Sequence, residues 1–227
     1  MSQASNNDSP KTPKSGRLLL RSPLIVALDV DDLKQALKLA EELHDVAGCF
    51  KVGPRLVFRY GEAIIQQLAR LAPVFVDCKF FDIPSTMVAS VRAAFAAGAS
   101  FVTIHALAGA DALDLIARLE EELRQTRPFQ ILNVTILTSW EDHRLPPNWI
   151  QQPIERHVQS LVGQVVAAGM DGIVCSPLEL RFLANRDLFL VTPGVRLDRP
   201  KDTRGVCGDD ARGGSAAHAE GTDLGSA

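Results

Sequence analysis

Val74-Phe75-Val76-Asp77-Cys78-Lys79 is a short apolar run that closes on two opposite charges. Runs of this kind recur at residues 24–28, 49–52, 101–105, 131–137, 172–175 and 188–191. A strand covered on both faces by helices is apolar at nearly every position, whereas a half-exposed antiparallel strand alternates. The runs therefore predict a parallel sheet. Between them lie segments of helical spacing, with Leu33, Ala36, Leu37 and Ala40 in one and Leu115, Ile116, Leu119 and Leu123 in another. Gly98, Gly169 and Gly172 follow apolar helices just before the next run, where a helix C-terminus favours glycine. The first runs begin at 24, 49, 74, 101 and 131, roughly 25 to 30 residues apart, which is the length of a strand–helix unit. That rhythm predicts an α/β fold of the TIM (β/α)8 barrel type. An open doubly wound sheet is the alternative. Its glycine-rich first turn is missing, because the run at 24–28 leads into Asp29-Val30-Asp31-Asp32, with no dinucleotide fingerprint.

Residues 1–22 are rich in Ser, Asn, Lys and Pro, lack periodicity, and read as a disordered leader. The barrel then occupies residues 23–201. A (β/α)8 barrel typically takes about 250 residues, and the chain has 227. The shortfall has a definite place. Only Val206 and Leu224 are large aliphatic residues from Asp202 onward, and six glycines are scattered among them. Residues 202–227 thus read as a Gly/Ala/Asp-rich, disordered tail foreign to the barrel, which lacks a proper eighth strand. Two unpaired sheet edges and a tendency to aggregate are the expectation.

A net charge of -3, with no basic run interleaved with aromatics, gives no footprint for nucleic acid. No apolar stretch approaches the roughly 18 residues of a membrane span, and Leu18 to Leu20 is too short for the core of an export signal. The reading is a cytoplasmic protein. Cys49, Cys78, Cys175 and Cys207 are far apart, without metal-ligand spacing. They read as small core hydrophobes, with no metal site and no disulfide.

In a parallel barrel the functional face is formed by the C-terminal ends of the strands. Asp29, Lys51, Asp77, Lys79, His105, Thr138 and Ser139 stand at such ends. Residues i and i+2 of a strand share a face, so Asp77 and Lys79 lie together with Cys78 opposite. A plain ion pair plugging the mouth is one reading. Lys51 and Asp82 extend the pair into a possible alternating set, Lys51, Asp77, Lys79 and Asp82. Such a set keeps a lysine protonated and aimed while it presents a carboxylate to a substrate. For His105, ligand contact and hydrogen-bonded packing both stay open. For Trp140-Glu141-Asp142-His143, a lid and a plain surface loop both stay open, while Arg55, Arg59 and Arg70 read as a solvated helix face.

The stretch Asp77-Cys78-Lys79-Phe80-Phe81-Asp82-Ile83-Pro84-Ser85-Thr86 closely resembles the signature of the orotidine 5'-phosphate decarboxylase family, which catalyses the last step of UMP synthesis. Leu28-Asp29, Phe50-Lys51-Val52-Gly53, Ile104-His105-Ala106, Leu137-Thr138-Ser139, Val174-Cys175-Ser176 and Thr192-Pro193-Gly194-Val195-Arg196 resemble it too, in the family's order. Together they cover residues 23 to about 203. Asp-x-Lys-x-x-Asp alone is shared with Mg2+-dependent sugar-phosphate decarboxylases and synthases of the same suprafamily. The Ile83-Pro84-Ser85-Thr86 that follows is particular to the orotidylate enzymes.

The resemblance implies a cofactor-independent carboxy-lyase acting on orotidine 5'-phosphate. It implies Lys79 as the proton donor to C6 of the pyrimidine and Asp77 as the neighbour of the departing carboxylate. Lys51 and Asp29 would bind ribose hydroxyls, Thr138 and Ser139 the pyrimidine amide edge, and Pro193, Gly194 and Arg196 the phosphate. Asp82, Ile83 and Thr86 would belong to the substrate site, with Asp82 and Thr86 reaching into a second subunit of a homodimer. After Arg196 the family continues with an apolar eighth strand and a phosphate-holding Gly-Arg pair, which this chain lacks. A frameshift near residue 203, leaving an inactive remnant, is the competing reading, and a Mg2+-dependent relative is the second.

Overall fold

The structure is a computed structural model that describes residues 18–137, 140, 142–195 and, as backbone, 216–220. Seven strands pair in chain order, each parallel to the next: β1 (Leu24–Ala27), β2 (Cys49–Val52), β3 (Val74–Phe80), β4 (Phe101–His105), β5 (Gln130–Val134), β6 (Gly172–Val174) and β7 (Phe189–Val195). Every predicted run is a strand. The connections carry α1 (Leu33–Leu43), α2 (Pro54–Tyr60), α3 (Glu62–Leu68), α4 (Pro84–Ala96), α5 (Ala110–Arg124), α6 (Ile154–Ala167) and α7 (Leu180–Leu183). Asp32 starts α1 as its N-cap, its carboxylate accepting the Gln35 N–H at 2.8 Å. Gly98 and Gly169 follow α4 and α6 with φ of 110° and 90°, as their placement predicts. Gly172 has another role. It opens β6, where a Cβ would run into the Ile131 carbonyl.

The barrel closes in an unexpected way. β8 (Ala216–Glu220) runs antiparallel to both β1 and β7. Among the described residues there is no parallel eighth strand and no helix leading to one, as the sequence predicts. The expectation of two open edges is corrected, because ladder bonds come from the main chain and need no large apolar side chain. Within the stretch 202–227 these five residues form a strand; residues 202–215 and 221–227 lie outside the described residues. Ahead of β1 the chain already touches the barrel. Leu18 and Leu20 pack against the barrel's inner apolar cluster, and Arg21 Nε donates to the Ala47 carbonyl at 3.2 Å; residues 1–17 lie outside the described residues.

Strand alternation divides the core in two. Val74, Val76, Val102, Ile104, Ile131 and Ile173 face the helices. Ile25, Cys49, Phe75, Phe101, Leu132, Phe189 and Val191 fill the barrel interior. Phe101 packs edge-on to Phe75 and stacked on Phe189, with centroids 6.1 and 5.7 Å apart, which makes the floor a rigid aromatic layer. Between α5 and the sheet, Arg124 donates to Glu120 and Gln130 at 2.9 and 2.6 Å, and Gln130 donates to Asp171 at 2.9 Å. This buried network pairs each charge it contains. Cys49 and Cys175 are fully buried, as small core residues should be, and burial drives the Cys49 thiol well above its usual pKa. Among the described residues no helix is long and apolar enough to cross a membrane.

Candidate active site

The interior face changes character along each strand. Two residues beyond Cys49, Phe75 and Phe101 stand Lys51, Asp77 and Thr103, and two further on in β3 and β4 stand Lys79 and His105. A column that is apolar at the floor therefore becomes charged at the mouth.

The charges form a chain. Lys79 Nζ donates to Asp77 Oδ1 at 2.8 Å, and Lys51 Nζ stands 3.4 Å from Asp77 Oδ2 and 3.8 Å from Asp29 Oδ1. The order Asp29, Lys51, Asp77, Lys79 alternates in sign. Lys51 and Asp77 are 12% and 15% exposed while Lys79 is 40% exposed, so the outermost ammonium is the one open to a ligand. Burial by itself pushes the Asp77 carboxyl up. The Lys79 and Lys51 charges, with hydrogen bonds from Lys79 and Thr103, outweigh it and hold Asp77 below the usual carboxylate range.

The sequence predicts Lys51, Asp77 and Lys79 in this array, and the structure brings them together with Asp29 as a fourth member. Within the chain Asp82 lies on the exposed loop beyond β3, where its Oδ1 accepts the Ile83 N–H at 2.7 Å. The loop turns outward after Phe80 and leaves Phe81 and Ile83 60% and 64% exposed, with Thr86 exposed on the first turn of α4.

β3 is not regular where it carries the charges. Val76 faces Val102 and Phe80 faces Ile104, so three residues of β3 oppose Thr103 alone. In this bulge Lys79 takes a φ of 48°, the only positive value outside glycine among the described residues. A lysine in that region is strained, and such strain persists where the surroundings impose it. Its N–H bonds to Thr103 Oγ1 at 2.9 Å instead of to a strand carbonyl. Sequence reasoning missed Thr103. The signal was its place two residues before His105, on the same interior face.

His105 Nδ1 accepts the Leu107 N–H at 3.3 Å, so the neutral ring carries its proton on Nε2. Burial, then the Lys79 charge, lowers its pKa. The unfolded imidazole protonates near pH 6.5. The native ring resists that proton, so stability contributed here falls as pH drops below about 6.5 and is intact above it. Between about pH 7 and 5.5, the melting temperature of wild type should fall further than that of His105→Gln. Equal slopes in a calorimeter would refute this.

Pro193 and Gly194 lie at the mouth end of β7, while Thr138, Ser139 and Arg196 fall outside the described residues. Asp142 Oδ1 accepts the Ile154 N–H at 2.8 Å and Trp140 packs on Trp149, so the segment after β5 includes residues that brace the start of α6. Arg55 and Arg59 are exposed on α2, as their helical setting predicts, and Arg70 is exposed in the turn after α3, outside the helix the sequence reading gave it.

The Orotidine 5'-phosphate decarboxylase / HUMPS family matches residues 22–223, nearly the whole chain. This chain belongs to that family. The orotidine 5'-phosphate decarboxylase of Parasynechococcus marenigrum (strain WH8102) is 42% identical over 197 residues, covering 83% of this chain and 78% of the relative. That of Dictyoglomus turgidum is 36% identical over 188 residues, covering 79% and 77%. The crystal structure of orotidine 5'-phosphate decarboxylase from Lactobacillus acidophilus superimposes with a TM-score of 0.67 at 34% identity, covering 76% of this chain and 80% of that one. The decarboxylase family match continues past residue 203, into the segment that supplies β8.

Proposed function

We propose that this chain decarboxylates orotidine 5'-phosphate to UMP, with Lys79 protonating C6. The observation that carries the reading is Asp77 gripped by two lysines, of which the outer, Lys79, is open to the mouth. The substrate carboxylate sits against Asp77, and its repulsion by that fixed charge is relieved as CO2 leaves. Breaking the bond to the carboxylate leaves its electron pair on C6. The Lys79 ammonium faces that growing charge without having to reorganise, and then transfers a proton to C6. The lysine regains its proton from solvent.

Lys51 and Asp29 take ribose hydroxyls, with Lys51 also fixing the second oxygen of Asp77. His105 presents a neutral Nε2–H toward the ligand. Thr138 and Ser139 meet the pyrimidine amide edge, and Pro193, Gly194 and Arg196 the phosphate, whose binding energy draws the site closed around the base. No cofactor enters these steps. Asp82 and Thr86 serve the site of a second copy in a cytoplasmic homodimer, and Ile83 belongs to the substrate site. The exposed Phe81 and Ile83 beside them support this, because apolar side chains at a site's rim gain by being covered. Loss of the orotidylate absorbance on adding purified chain tests the reading, and a folded chain that leaves the substrate untouched refutes it.

A further inference from the structure

We propose that Thr103 is a positioning residue: its hydroxyl ties the strained backbone of Lys79 to the carboxylate of Asp77 and so aims the ammonium. The inference rests on the decarboxylase reading above.

Thr103 is fully buried in the middle of β4, with Oγ1 2.9 Å from Lys79 N and 3.0 Å from Asp77 Oδ1. An N–H can only donate, and an ionised carboxylate can only accept. The hydroxyl must therefore accept from Lys79 and donate to Asp77. All its capacity as a donor is used at one oxygen, the same Oδ1 that receives Lys79 Nζ at 2.8 Å. Backbone and side chain of Lys79 thus converge on a single carboxylate oxygen, one directly and one through Thr103.

The bulge explains why a side chain is needed. Three residues of β3 oppose one of β4, so a ladder of carbonyls cannot satisfy every N–H there. The Thr103 hydroxyl satisfies the one belonging to the residue at φ 48°. Without it, that N–H is unpaired and the left-handed conformation loses the contact that holds it. Other charged groups face Asp77 from Lys79 on its own strand and from Lys51 on β2, with Asp29 behind Lys51 and His105 beyond Lys79 on β4. All of them remain when Thr103 is changed.

Thr103→Val keeps the branched shape and removes the hydroxyl, while Thr103→Ser keeps the hydroxyl. The valine variant should lower kcat about tenfold to hundredfold, as expected for lost hydrogen bonds to a charged group, with KM changed little because Thr103 is fully buried behind Asp77 and Lys79. Serine should restore kcat to within about threefold of wild type. In carboxyl-labelled protein, followed by carbon NMR, the Asp77 titration should move to higher pH in the valine variant and return in the serine one. Should the valine variant not fold, Thr103→Ala is read in the same way. A valine variant with wild-type kcat and an unmoved Asp77 titration overturns the proposal, and so does a serine variant as impaired as valine. The NMR measurement needs no turnover. An inactive wild type therefore defeats the decarboxylase reading, whereas an unmoved Asp77 titration defeats the placement of Thr103.

Discussion

Lys79→Ala should lower turnover of orotidine 5'-phosphate by about 10^3-fold or more, combining the loss of a proton donor with the loss of a fixed charge at the reacting carbon. The fold should survive. Lys79 is 40% exposed at the mouth, and Asp77 keeps Lys51 at 3.4 Å and the Thr103 hydroxyl at 3.0 Å as partners. Circular dichroism should therefore match wild type while the absorbance assay falls to background. Substrate affinity should change far less than kcat, because the ammonium's main interaction develops only as charge appears on C6. Mixing this variant with Asp82→Ala should recover part of the activity. In a mixed dimer one site combines an intact Lys79 with an intact Asp82 from the other copy. A mixture no more active than its parts would contradict the shared site.

Asp77→Asn is the second large effect, with an expected loss of about 10^2- to 10^3-fold in kcat. The amide preserves the shape, but one of its ends now carries N–H donors toward a lysine. Two ammonium groups that shared one carboxylate, at 2.8 and 3.4 Å, become neighbours of like charge and repel each other. Stability should fall by about 1–3 kcal/mol in urea denaturation, since two charges lose their common partner. The pH dependence has a definite sign. The native Asp77 pKa is depressed, so its contribution is complete above the unfolded value of about 3.9 and is lost as pH falls through the lower native value. The stability gap between wild type and Asp77→Asn should narrow in acid. A gap that is constant with pH would show that Asp77 acts by shape alone.

Much of the site was legible in the sequence because a strand has only two faces. Once residues 74–79 read as a strand, Asp77 and Lys79 had to share a side, and Lys51 and His105 followed from the ends of their own runs. The irregularity that holds them was not legible. Alternation gives the pairing of Asp77 with Lys79, yet the structure reaches it through a bulge and a left-handed lysine, for which the letters Asp-Cys-Lys carry no mark. Thr103 was overlooked because a hydroxyl in an apolar run reads as an ordinary β-branched strand residue. The position of Asp82 followed the loop, where no periodicity constrains the chain. The seam was misread for a related reason. Residues 216–220 offer no hydrophobic pattern, and main-chain pairing with β1 and β7 does not require one.

In the proposed chemistry a lysine, held by Asp77, delivers a proton to carbon. Turnover in heavy water, with the product followed by proton NMR, tests it most directly. Purified full-length chain, with chelator present and no added cofactor, should convert orotidine 5'-phosphate to UMP carrying deuterium at C6, because the ammonium protons of Lys79 exchange with solvent. UMP should form in step with released CO2 and disappear in Lys79→Ala. A folded chain that yields no UMP would contradict the account, as would a Lys79→Ala variant as active as wild type.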